Sequence, residues 1–137
     1  MNLAARAEAT EKVVARFRNR PFDWSDRATC IHLARAQMRA LGHRPPAIPD
    51  FRSALGARKA LERTGYASLE ALLDSMLPRI SPLSAWVGDL MLVPGKEPFG
   101  EALAINAGGA LLMYHAEADG VANVVDAMVH VRAAWRL

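Results

Sequence analysis

Residues 88–95 read Gly88-Asp89-Leu90-Met91-Leu92-Val93-Pro94-Gly95, a short apolar run between turn formers, and there the chain changes character. Four consecutive apolar residues bounded by Gly-Asp and Pro-Gly read as a strand, Leu90 to Val93. Everything upstream carries the helical period. Leu3, Ala7, Val14 and Phe17 define a first helix that closes before Pro21. Ser25 or Asp26 is placed to cap a second helix with Ile31, Ala34, Met38 and Leu41 on one stripe, ending at Gly42. The proline-rich link His43–Pro49 is too stiff to continue it. Asp50 is the expected cap of a third helix through Phe51, Leu55 and Leu61 to Gly65, and Ser68 opens a short fourth that Pro78 stops. Downstream, Glu101–Ala107 and Ala110–Ala116 flank the hairpin signal Gly108-Gly109, and a turn at Asp119-Gly120 precedes Val121–Val125. The tail Asp126–Leu137 fits either a final helix or an extended strap. Helices first and an antiparallel sheet afterwards predict an α+β domain spanning 1–137, with a helical half over 1–80 and a sheet half with its strap over 83–137.

Composition bounds the function. The 137 residues are 52% hydrophobic and 23% charged, the balance of a globular domain with a substantial core. No apolar run approaches the ~18 residues a membrane helix needs, and the first seventeen residues lack the apolar core of a secretion signal. The net charge of +3 is unevenly spread. Residues 1–64 carry thirteen Lys/Arg against six Asp/Glu, or +7; residues 65–137 carry four against eight, or −4. Such a dipole suits docking into an assembly or onto an acidic surface. Arginines scattered along helices, with no aromatic-rich strand, argue against nucleic acid as the partner.

Cys30 is the sole cysteine, which excludes an internal disulfide and any multi-cysteine metal site. It falls near the start of the second helix, where a helix N-terminus carries roughly half a positive charge and favours a thiolate. A base for it must come from the sheet, and His115, at the end of the hairpin's second strand, is the candidate. His32 lies two positions along the helix from Cys30 and points nearly away. His43 and His130 are not spaced as ligands, so no zinc signature and no cofactor are expected. Met91, Met113 and Met128 sit in apolar runs as core filler. Trp24 and Trp86 are expected in the core, and Trp135 either closes the core or anchors into a neighbour.

Four segments together resemble the NlpC/P60 branch of the papain-like fold. That family places a nucleophilic Cys at a helix start after a W-x-x-x-D-C approach. The counterparts here are Phe22-Asp23-Trp24-Ser25 and Arg27-Ala28-Thr29-Cys30, with Thr29 in place of the usual Asp. Gly88-Asp89-Leu90 matches the family's Gly-Asp-Leu strand opening. Glu101–Ala107 stands where the family has H-V-G-I-Y-L-G, and Met113-Tyr114-His115-Ala116 where it has M-I-H-A. The resemblance spans nearly all of 15–137 and extends to short phage and prophage proteins encoded near tail-tip genes.

The resemblance implies Cys30 as nucleophile and His115 as the orienting member of a triad, while Glu101 occupies the place of the base. A carboxylate with a reference pKa of ~4.3 matches a thiol of ~8.5 poorly as a base, and its charge disfavours a thiolate. The expectation is therefore a phage tail-tip structural component with a degenerate peptidase-like site. It would be made in the bacterial cytoplasm without a signal peptide, carried in the virion, and partnered by other tail-tip or hub proteins and by peptidoglycan. One alternative is an active cysteine peptidase that cleaves peptidoglycan stem peptides, with His115 acting alone as base. Another is a cellular binding module.

Overall fold

The computed structural model describes residues 1–115 and 118–137. Helices α1 (Leu3–Phe17), α2 (Cys30–Ala40), α3 (Ala54–Thr64) and α4 (Leu69–Met76) precede every strand of the sheet. The strands are β1 (Arg79–Ile80), β2 (Leu90–Pro94), β3 (Glu101–Asn106), β4 (Leu111–Tyr114), β5 (Val121–Val124) and β6 (Ala133–Trp135). They form one antiparallel sheet in the order β1-β6-β2-β3-β4-β5. The α+β class is as expected.

Two caps differ from expectation. Thr29, not Ser25 or Asp26, caps α2, because Trp24–Asp26 is spent in a 3₁₀ turn and Arg27 turns left-handed at φ 53°. Ser53, not Asp50, caps α3, leaving Phe51 outside the helix as a buried anchor and Asp50 to pair with Arg27 and Arg52. Ser68 caps α4 as expected.

The tail resolves into both of its options: a 3₁₀ segment, Asp126–His130, followed by β6. That strand is central. It inserts between β1 and β2, pairing Trp135 with Leu90 on one side and Arg79 on the other. Strand β4 ends at Tyr114; Ala116, the last residue of the M-Y-H-A match, lies outside the described residues.

Strand alternation gives the sheet two apolar faces. Leu90, Leu92, Leu103, Ile105, Leu112 and Trp135 face the helices and meet Val14, Phe17, Leu33 and Leu73 there. Met91, Val93, Ala104, Leu111 and Met113 face the other way and are covered by Ala127, Met128 and Val131 around the 3₁₀ segment. Trp135 is fully buried and donates its indole N–H to Asp74 Oδ1 at 2.9 Å, so it closes the core. The two tryptophans expected in the core are not core residues: Trp24 is half-buried on the wall of a cleft, and Trp86 is open. It is 51% exposed, and its ring is a plate for the guanidinium of Arg136, 3.5 Å from the ring centroid, with that of Arg6 at 5.6 Å.

The Gly88-Asp89-Leu90 turn has a structural explanation. Gly88 sits at φ 96°, and a Cβ there would crowd Leu41, Thr10 and Gln37 at 3.1–3.2 Å, so glycine alone lets the strand start this close to α1 and α2. Asp89, fully buried, then collects four groups. Its Oδ1 accepts from Arg6 Nη2 at 2.6 Å and Leu137 N at 2.9 Å. Its Oδ2 accepts from Trp86 N at 2.8 Å and lies 3.1 Å from Arg136 Nε.

Candidate functional site

Cys30 is presented by a closed loop. Asp23 and Ala28 pair backbone to backbone as an isolated bridge, while the Asp23 carboxylate accepts from Ser25 N at 2.9 Å and Ser25 Oγ at 2.7 Å. Those bonds hold the Asp23 carboxyl below the usual carboxylate range. The loop exits through Arg27 into Thr29, whose hydroxyl oxygen caps α2 by accepting from His32 N at 3.4 Å and lies 2.8 Å from His32 Nδ1. Thr29 thus supplies the capping oxygen that an Asp would supply at this place. Cys30 is the first residue of α2.

The thiol lies at the floor of a cleft of about 640 Å³ that also takes in Trp24, Phe99, Glu101, Tyr114 and His115. Cys30 is only 8% exposed. Burial pushes its thiol above the ordinary value; the backbone N–H groups of Leu103, Cys30 and Ile31 pull the other way without overcoming it. An aromatic wall frames one side: Phe22 stands edge-on to Trp24 and Tyr114 at 5.1 and 5.5 Å, and Trp24 to Phe99 at 6.2 Å.

Strand parity decides what meets the thiol. On β3, Glu101 shares the helix-facing side with Leu103 and Ile105; on β4, Tyr114 shares it with Leu112. Burial pushes the Tyr114 hydroxyl up to about 12, with Arg20 opposing and Cys30 and Asp26 adding to the rise. Tyr114 is therefore a neighbour of Cys30 that motif matching overlooks, although counting alternation through Leu111-Leu112-Met113-Tyr114 finds it. His115, one residue on, has the opposite parity and lies past the strand end, exposed and lining the same cleft. The three residues singled out in the sequence, Cys30, Glu101 and His115, thus share one cleft. His32 does not: it is turned to Thr29 and to the Phe51 ring, 5.4 Å between centroids.

Glu101 Oε2 and Tyr114 Oη are buried with no hydrogen-bond partner among the described residues. Of the described groups lining the cleft, these two are the buried ones left unpartnered near the Cys30 thiol. Among the described residues no group of three or more His, Cys, Asp or Glu side chains is placed to hold a metal ion. No helix among them is long and apolar enough to cross a membrane.

A cleft with a helix-start cysteine facing an antiparallel sheet defines the class of site; the family follows from the whole chain. The chain belongs to the DUF6950 family, a domain of unknown function, which matches residues 1–137. No curated protein matches it.

Proposed function

We propose that this chain is a structural component of a phage tail tip, built on an NlpC/P60-like, papain-like scaffold whose cleft does not cut. One observation carries the reading: Cys30 keeps the nucleophile's place at the start of α2, yet burial holds its thiol protonated. Glu101, which opens β3 and lines the same cleft, is the residue that the NlpC/P60 resemblance aligns with the base. A nucleophile of this kind reacts as the thiolate, which an adjacent imidazole normally stabilises and an adjacent carboxylate does not. Partners on this reading are the neighbouring tail-tip or hub proteins, with peptidoglycan as a surface the tip meets.

Mass spectrometry of particles purified from the host that carries the gene tests this reading. The chain should be present at a fixed ratio to other tail proteins, and a Cys30→Ala allele should give particles as infectious as the parent's. Absence from the particles, or particles that adsorb but fail to deliver DNA when Cys30 is Ala, would contradict it.

The backbone N–H groups directed at Cys30 and the presence of His115 in the cleft favour a second reading, a peptidase acting on peptidoglycan stem peptides. Cys30 would attack the amide and His115 would exchange the proton. Release of stem-peptide fragments from purified peptidoglycan by the native chain, and its loss in Cys30→Ala, would establish it.

A further inference from the structure

A second concavity shares no lining residue with the Cys30 cleft. It runs between α1 and α2 and is closed on one side by Ala47–Pro49, with a volume of about 760 Å³. Arg16 enters it from the last turn of α1, Arg20 from the turn that follows it, Arg35 and Arg39 from α2, and Arg27 from the turn before α2. Arg35 and Arg39 are spaced four apart within α2, which puts that pair on one side of the helix. Asp26 is the only carboxylate in the lining, 3.8 Å from Arg20, while Arg27 turns to Asp50 at 3.2 Å. Arg16, Arg35 and Arg39 have no carboxylate within ion-pair distance among the described residues. The positive field is felt inside the groove: after burial, Arg27, Arg20 and Arg35 are what hold His32 below its ordinary pKa.

The shape narrows the ligand class. Ala36 and Ala40 leave room between the arginines, and Arg35 Nε donates to Pro46 O at 3.1 Å, bracing the stiff proline segment as the opposite wall. That wall is apolar, Ile48 and Pro49. Of the two rings in the lining, Phe17 is buried in the core and His32 is turned to Thr29 and Phe51, so neither gives a platform for bases. Guanidinium groups along one wall and apolar side chains along the other match an extended chain that alternates carboxylates with apolar residues.

We propose that this groove docks an extended acidic segment of a partner polypeptide, its carboxylates on Arg16, Arg35 and Arg39 and its apolar side chains against Ile48 and Pro49. The site is separate from the Cys30 cleft and does not depend on whether that cleft is catalytic.

The test titrates a short fluorescein-labelled peptide of alternating Glu and Leu into the full chain and follows anisotropy at two salt concentrations. Arg16→Glu/Arg39→Glu is the informative variant, since both side chains are exposed and unpaired; an unchanged melting temperature confirms its fold. Binding should weaken about tenfold or more in the double variant and fall with salt, while Cys30→Ala binds as the parent does. Equal affinity of parent and double variant would overturn the proposal, as would no binding by the parent. Tighter binding of an oligothymidylate of equal charge, lost in the same variant, would also overturn it and make the groove a nucleic-acid site.

Discussion

Thr29 and His32 share one hydroxyl, and that sharing has a pH consequence. Thr29 Oγ1 accepts from the His32 backbone N–H and lies 2.8 Å from His32 Nδ1, to which it can donate its own proton when the imidazole is neutral. Partial burial and three nearby arginines favour the same neutral state and lower the His32 pKa. The sign follows directly. As pH falls below the ordinary histidine value of about 6.5, the unfolded chain takes up a proton that the folded chain resists, so stability drops with falling pH in that window. In His32→Gln the acid-side slope should be shallower as pH falls below about 6.5, read from urea midpoints against pH; an unchanged profile would show that His32 does not report this field. At this scale the site was half legible. Cys30 and Glu101 were found because their segments carry short motifs in order. Tyr114 was not, because a motif match aligns letters whereas the fold aligns strand parity.

The element scale shows the same division between local and distant causes. Helix α4 and the end of α2 were readable because Ser68 and Gly42 act within their own turn. The start of α2 was not. Ser25, Asp26 and Thr29 are all competent caps, and the choice fell to Thr29 through the Asp23–Ala28 bridge and the left-handed Arg27. Strand β6 had no local signal at all. Its three residues are held by Leu90–Leu92 on one side and Arg79–Ile80 on the other, more than forty positions earlier, and such pairing leaves no period in the tail itself. What anchors β2, β6 and α1 together is the Asp89 carboxylate with Arg6, Arg136 and the Leu137 amide. Removing one member of a buried ion pair leaves a charge uncompensated, so Asp89→Ala should cost about 3–5 kcal/mol in chemical denaturation. A loss below about 1 kcal/mol would mean that the network is dispensable.

Across the whole molecule the helical half and the sheet half divide the work. The sheet supplies the rear of the Cys30 cleft through β3 and β4, and α2 supplies the thiol. The positive half of the charge dipole, evident in the sequence as +7 over residues 1–64, concentrates on the outer side of α1 and α2 as the arginine groove. The sequence could show the excess but not its convergence, because Arg16 and Arg39 meet only once the two helices pack. Cleft and groove together describe a domain whose cysteine is buried beneath one cleft and whose open charged surface lies elsewhere.

The rate of Cys30 alkylation by iodoacetamide against pH, on the native full chain, tests the central claim most directly. A thiol buried beside Glu101 and Tyr114 should react slowly at neutral pH, with a rate that rises only above the ordinary thiol range of about 8.5. A rate that titrates with a midpoint well below that range would reveal an activated thiolate, contradict the non-catalytic account, and put the peptidase reading in its place.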